Sequence, residues 1–196
     1  MKNQYDLLGF YKIIINYIKT RIFYPNTRLI RFPFDIRNRK LIKLGKGLTT
    51  GFGCRLEAHD IKNDRLPKIT IGENVQINDY VHIAAGEYVF IGNNVLIASK
   101  VFISDISHGN YNGENQDSPE SITKERKLTT KPVIINDNVW IGENVGILPG
   151  VSIGKSSIIG ANALVTKNIP DFTIAVGNPA KVIKKFNFES KKWEKI

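Results

Sequence analysis

From residue 135 onward the apolar positions recur every six residues. Ile135, Ile141, Ile147, Ile153, Ile159 and Val165 keep that spacing, and Val139, Val145, Val151, Ser157, Ala163 and Ile169 repeat it four residues later. Gly142, Gly154 and Gly160 each follow one of the large residues. Positions six apart lie on opposite sides of a 3.6-residue helix, so an α-helix does not explain the pattern. A hexapeptide period is the sign of a parallel β-helix, in which each unit forms one face of a coil and three units close a triangle. Strand side chains alternate, so the large residue and the one two before it point inward.

The same period runs earlier, through Leu44, Thr50 and Leu56 and then Ile71, Ile77 and Ile83. It slips by two before Ile91, Ile97 and Ile103, which predicts a wider corner near Ala85–Tyr88. Between the blocks, roughly His108 to Pro132, the chain is polar and aperiodic, with Gly109, Gly113 and Pro119. A loop of that length in a compact domain points to function. Ahead of the coils, Leu8, Tyr11, Ile15, Ile18 and Ile22 step by three or four and predict one face of a helix. Two compatible roles are open for it. One is a cap over the unpaired strand edges at the end of the β-helix. The other is an interfacial helix with Lys12, Lys19 and Arg21 near lipid headgroups. The expected organisation is an all-β parallel β-helix of about five coils over 41–180, a helical and basic segment over 1–40, and a basic tail over 181–196.

Charge sharpens that division. The chain has 196 residues and a net charge of +10. Residues 1–46 hold eleven Lys and Arg against Asp6 and Asp35, and residues 181–196 hold six Lys against Glu189 and Glu194. The middle is mildly acidic, so the ends are expected to meet an anionic partner such as a membrane, through residues 1–46, or the phosphates of a cofactor. No nucleic-acid reading motif is present. The N-terminus lacks the apolar core and cleavage site of a signal peptide, and the Ile13–Ile15 run is too short to span a bilayer. Cys54 falls at an inward position and is expected to be a small buried hydrophobe, in keeping with a reducing, cytoplasmic compartment.

Four stretches carry a family resemblance: Ile103-Ser104-Asp105-Ile106-Ser107-His108-Gly109, Asn138-Val139-Trp140-Ile141-Gly142-Glu143-Asn144-Val145, Leu148-Pro149-Gly150-Val151, and Ala175-Val176-Gly177-Asn178-Pro179-Ala180-Lys181. Together with the hexads they resemble the bacterial hexapeptide-repeat acyltransferases, in the branch of galactoside, polysialic acid and lipopolysaccharide O-antigen O-acetyltransferases. Tyr24-Pro25-Asn26, Arg28-Leu29-Ile30-Arg31 and Trp193-Glu194-Lys195 look most like the lipopolysaccharide members. The resemblance implies a left-handed β-helix, a homotrimer with active sites between subunits, and acetyl-CoA as donor to a saccharide acceptor.

Acetyl transfer to a hydroxyl needs a base, a donor for the developing oxyanion, and in-line placement of the two substrates. Histidine suits the first task, and the chain has three. His108 stands at the mouth of the long loop, where the resembling family places its general base; Asp105, three residues earlier, is a candidate to orient the ring. His82 and Asn78 face outward beside inward Ile83 and Ile77; His82 either lines an acceptor cleft or faces solvent, and Asn78 either sits at a tight coil corner, which suits asparagine, or contacts the acceptor, as a matching asparagine does in the resembling family. Trp140, outward between Val139 and Ile141, is a candidate to pack on the acceptor or on pantetheine. The resemblance gives the backbone N–H of Glu143 to the oxyanion, although relatives carry a small side chain there. It gives Gly142, Gly160, Ala161, Thr166, Lys167, Lys181 and Lys184 to CoA. No clustered histidines suggest a metal. Two other readings stay open: a soluble small-sugar or xenobiotic acetyltransferase, and a catalytically silent β-helix used for binding.

Overall fold

A computed structural model describes residues 6–196; the expectations for residues 1–5 lie outside the described residues. Three parallel sheets form the walls of a triangular prism. Sheet A begins at Thr49–Thr50 and continues through Gln76–Ile77, Leu96–Ile97, Trp140–Ile141 and Ile158–Ile159 to Thr173–Val176. Sheet B runs from Phe34–Arg37 through Cys54–Ala58, His82–Ala85, Phe102–Ser104 and Gly146–Ile147 to Leu164–Val165. Sheet C comprises Ile42–Leu44, Ile69–Ile71, Val89–Ile91, Val133–Ile135 and Ser152–Ile153. The hexads are in register: Ile77 pairs with Ile97, Ile97 with Ile141, and Ile141 with Ile159. The inward residues stack into one continuous core, with Ile71, Ile77, Ile83, Ile91, Ile97, Ile103, Ile135, Ile141, Ile147, Ile153, Ile159 and Val165 all buried.

The polar residues of each hexad have a backbone reason. The residue just before the small inward one turns the corner in the left-handed region, as at Asn74, Asn94, Asn138, Asn144 and Asn162. Asparagine tolerates that conformation better than other residues with a Cβ. At the C–A edge, Asn93 Oδ1 accepts the Glu73 N–H at 2.8 Å and Asp137 Oδ1 accepts the Asn93 N–H at 2.6 Å, so side chains of one coil satisfy amides of the coil below.

The three edges differ. The A–B and C–A edges are uniform short corners. Every longer connection leaves from the B–C edge: the turn before Ile42, a stretch between Ala58 and Ile69, the widened corner after Ala85, and the excursion between Ser104 and Val133. The second of these has no counterpart in the hexad pattern. It closes over Lys68, whose side chain is almost fully buried and whose Nζ lies 2.6 Å from Asp64 Oδ1 and 3.4 Å from Asp60 Oδ1.

The N-terminal helix caps the open strand edge as expected, but with its polar side, and the C-terminal end is closed by a hairpin. The helix spans Leu7–Phe23, with Asp6 as N-cap accepting the Gly9 N–H at 2.7 Å. Its first half runs along the side of the prism near Gln76, Asn78 and Ser99, and its second half caps part of the free strand edge of the first coil, where the Ile30 N–H and C=O point away from the next coil. Its inward side carries Gly9, Ile13, Asn16 and Thr20. Thr20 Oγ1 accepts the Ile30 N–H at 2.9 Å, and Asn16 Oδ1 accepts that of Phe32 at 3.3 Å. The Leu8, Tyr11, Ile18 and Ile22 side chains of the predicted face are exposed, with Ile15 half-buried. Tyr24, Phe32 and Phe34 pack together beside them at the open end. Rungs begin earlier than residue 41, since Leu29 bridges Thr49 and Phe34–Arg37 pairs with Cys54–Glu57. Residues 181–196, expected as a tail, form the antiparallel hairpin Lys181–Asn187 and Lys192–Lys195 on the end of sheet A, with Phe172, Phe186, Phe188 and Trp193 packed edge to face. No described helix is long and apolar enough to cross a membrane.

Candidate active site

Stacking of the coils collects the expected residues on two edges of the prism. The A–B edge holds the first group. The residue after each inward large residue of sheet A forms a column, Gly51, Asn78, Ala98, Gly142 and Gly160, in which Asn78 alone has a polar side chain. The left-handed residue of that corner is Tyr80, so corner geometry does not account for the asparagine. Asn78 Oδ1 accepts from Gln76 Nε2 at 3.1 Å, and Cys54 Sγ donates to the Asn78 carbonyl at 3.0 Å. Cys54 is buried and burial pushes its thiol pKa up, which fits a packing residue and not a nucleophile. Asn78 lines a cleft of about 500 Å³ between the helix and the coils, together with Lys12, Asn16, Arg31, Asp79 and Ser99. Arg31 Nη1 donates to the Thr50 carbonyl at 3.1 Å.

Further along the same edge, a Cβ on Gly142 would come within 2.5 Å of the Ala161 amide nitrogen, and one on Gly160 within 2.8 Å of Val176 Cγ1. Both glycines are therefore needed for coils to stack this closely, whatever else they do. The Gly142 N–H donates to Ile159 O and the Asn144 N–H to Ser99 O, while the Glu143 N–H between them has no partner among the described residues. Its side chain points toward Lys100, with Oε1 and Nζ 3.7 Å apart. Trp140 stands on the outer face of sheet A between Leu96 and Ile158 and is 49% exposed. Ile174 and then Lys184 continue that row. Ala161 and Lys181 are exposed.

The second group lies on the B–C edge. Ile106–His108 pairs antiparallel with Leu128–Thr130, so the excursion leaves and returns as a two-stranded ribbon with His108 at its exposed end. The loop beyond is ordered around Arg126. Its guanidinium donates to Ser121 Oγ at 2.8 Å, to Tyr111 Oη at 2.9 Å and to the carbonyls of Ser118, Pro119 and Ser121. Tyr111 Oη in turn donates to the His108 carbonyl. Sequence reasoning missed Arg126; a lone arginine in a polar loop carries no signal of its own. Thr166 and Lys167 sit exposed on this edge at the last coil.

Asp105 has a different task from the one its spacing suggests. It is fully buried, and its carboxylate accepts from the N–H groups of Gly86 (2.7 Å), Glu87 (2.8 Å) and Tyr88 (2.6 Å). Burial raises its pKa and the three amides oppose the rise. Its oxygens shape the widened corner where the excursion departs, and the His108 ring makes no hydrogen bond to them. His82 lies on the outer face of sheet B between Arg55 and Phe102. Its ring nitrogens are 3.2 Å from Arg55 Nη2, and its Nε2 is 3.4 Å from Glu57 Oε2. Burial, then Arg55, holds its pKa below the ordinary imidazole value against the opposing pull of Glu57. No contact joins His108 to Asn78, His82 or Trp140 among the described residues. Nor do three or more His, Cys, Asp or Glu side chains gather there in a group able to hold a metal.

Residues 132–167 match the family model described as bacterial transferase hexapeptide (six repeats). Over its full length the chain is 45% identical to the putative lipopolysaccharide biosynthesis O-acetyl transferase WbbJ of Escherichia coli K12, of which it covers 97%. The chain belongs to the bacterial hexapeptide-repeat acyltransferases. A galactoside acetyltransferase in complex with coenzyme A superposes with a TM-score of 0.54 at 32% identity, over 72% of this chain and 66% of that one. The N-acyltransferase AntD from Bacillus cereus, in complex with dTDP-4-amino-4,6-dideoxyglucose and coenzyme A, superposes with a TM-score of 0.68 at 24% identity, over 97% of this chain and 94% of that one, and shows the shared fold. The prism is thus the left-handed β-helix of this acyltransferase family, with the expected N-terminal helix.

Proposed function

We infer that this acyltransferase moves acetyl from acetyl-CoA to a hydroxyl of a bacterial surface polysaccharide sugar, O-antigen or capsule, or of its lipid-linked precursor. The full-length likeness to a lipopolysaccharide O-acetyl transferase carries the reading. The split of the site residues over two edges supports a homotrimer. In it, the B–C edge of one copy, with His108, Thr166 and Lys167, faces the A–B edge of the next, with Asn78, Trp140, Gly142, Glu143, Gly160 and Ala161. Cyclic closure of three prisms makes every such junction equivalent.

The chemistry then follows from the groups present. His108 takes the proton from the acceptor hydroxyl as its oxygen attacks the thioester carbonyl. The unpaired Glu143 N–H donates to the oxyanion, an interaction whose loss typically costs about 3 kcal/mol of transition-state stabilisation. Collapse breaks the carbon–sulfur bond, and the protonated His108 returns the proton to the thiolate. Asn78 and His82 hold the acceptor. Trp140 lies against pantetheine or the acceptor ring, and Lys184, three strand spacings or about 14 Å along the same face, meets the CoA phosphates with Lys181 and Lys167. Asp105 serves through the corner that it braces. The donor places the reaction in the cytoplasm.

The test is NMR of surface glycan from a host deletion strain complemented with wild type or with His108→Ala. An O-acetyl signal with wild type only supports the reading, and equal spectra overturn it. The superposition on a galactoside acetyltransferase favours a second reading, a soluble small-sugar enzyme, which would turn over free monosaccharides efficiently.

A further inference from the structure

The helix Leu7–Phe23 is mounted inside out. In a surface helix of a globular protein the apolar stripe faces the core. Here Gly9, Ile13, Asn16 and Thr20 turn toward the coils, and attachment is largely polar, through the Thr20 and Asn16 bonds to Ile30 and Phe32. The opposite stripe, Leu7, Tyr11, Ile14, Ile18 and Ile22, is 42–90% exposed. At 1.5 Å per residue it is about 22 Å long. Leu8, Phe10, Tyr17 and Phe23, also exposed, widen it. At 100° per residue, Lys12 and Lys19 fall on one flank of the stripe; Arg21, on the other side, turns its guanidinium back to the carbonyls of Pro25, Thr27 and Arg28.

We propose that this stripe docks the enzyme on the surface of an anionic lipid bilayer, the helix lying in the interface plane. An in-plane helix needs a broad apolar face, basic residues beside it and aromatic residues at headgroup depth, and this helix has all three, the basic ones being Lys12 and Lys19. Charge selects the occupant. Residues 6–46 carry ten Lys and Arg against Asp6 and Asp35, and basic segments of this kind are drawn to anionic headgroups. Burying the stripe against the same stripe of a second copy, in a two-fold pair, would set two such segments face to face, with like charges opposed. The docking stands on the helix alone and goes beyond the acetyl-transfer reading. Its consequence is that the cleft of Lys12, Asn16, Arg31 and Asn78, which the helix walls, opens beside the membrane, where a lipid-carried saccharide would be presented.

The experiment is flotation of the full-length protein with vesicles of phosphatidylglycerol and phosphatidylethanolamine, and with phosphatidylcholine alone. Wild type floats with the anionic vesicles and the bound fraction falls several-fold in high salt. Ile18→Glu, which alters an exposed position without a core contact, lowers partitioning at least tenfold, and the Lys12→Gln, Lys19→Gln double variant lowers it less. Circular dichroism and thermal melting confirm that each variant is folded. The proposal is overturned if wild type does not float, if Ile18→Glu floats equally well, or if Ile18→Glu instead lowers the mass seen by light scattering, which would make the stripe an interface between copies. Acetyl-CoA binding, titrated without lipid, is unchanged by Ile18→Glu, so failure of docking and failure of the acetyl-transfer reading appear in separate assays.

Discussion

Replacing Asp105 with asparagine separates two roles for one carboxylate. The side chain is fully buried and accepts three backbone N–H bonds from Gly86, Glu87 and Tyr88. Asparagine offers one oxygen. With that oxygen toward Glu87 and Tyr88, its NH2 group faces the Gly86 N–H, and a buried donor is left without an acceptor, at a cost of about 1–3 kcal/mol. The remaining two bonds change from charged to neutral acceptor, at roughly 1 kcal/mol each. The expected loss is about 3–5 kcal/mol, a large part of the stability of an ordinary domain. Urea unfolding followed by circular dichroism measures it, with the slope checked for constancy. Acetyl-CoA turnover by the folded variant near neutral pH should fall only as far as the loosened corner displaces His108. A loss of stability below 1 kcal/mol together with a hundredfold loss of turnover would refute this account and restore Asp105 as the group that orients the histidine.

Arg126→Ala removes the hub of the excursion; hydrogen exchange should rise across residues 109–127 while melting of the coils is nearly unchanged, and kcat should fall because the His108 carbonyl loses its Tyr111 anchor. Because burial and Arg55 hold the His82 pKa down, the folded state resists a proton that the unfolded chain accepts. Stability from this group is therefore complete above about 6.5 and is lost as pH falls below that value toward the depressed native pKa; urea midpoints at pH 7.5 and 5.0 should differ, and His82→Gln should reduce the difference. Gly142→Ala forces a Cβ to within 2.5 Å of the Ala161 nitrogen and should destabilise by about 1–3 kcal/mol in thermal melts. Mixed trimers refolded from inactive His108→Ala and Asn78→Ala chains should regain part of the turnover, since some junctions then pair two intact edges; no recovery would argue that each site lies within one copy.

The hexads made the coils legible because nearly every inward position is apolar, Thr50 and Ser157 apart, and the A–B and C–A corners are short, so the period can be followed from Ile71 to Val165 across the corner that Asp105 braces and the excursion after Ser104. The stretch between Ala58 and Ile69 was hidden because its organising group is a lysine: Lys68 is charged in the sequence but buried in the fold, satisfied by two aspartates that themselves read as surface. The helix was legible as a helix, but not its mounting. Periodicity shows that one face is apolar; it does not show whether that face or the one bearing Asn16 and Thr20 meets the coils. Candidate site residues could be assigned to columns and faces. In the proposed trimer, which edge meets which is set by a junction between chains, outside the reach of one sequence read alone, and the loop geometry that fixes His108 depends on Arg126 and Tyr111, ordinary residues until folded.

All the longer connections leave the prism along the B–C edge, while the other two edges keep short, uniform corners. A solenoid built this way can gain or lose residues at one seam without shifting a single rung, because strands above and below need only resume their pairing after the detour. Variation among relatives therefore has a permitted place to accumulate, and it is the seam that carries the histidine. Exchanging the 105–132 segment between family members would therefore change the surroundings of His108 while leaving every rung of the coils in place.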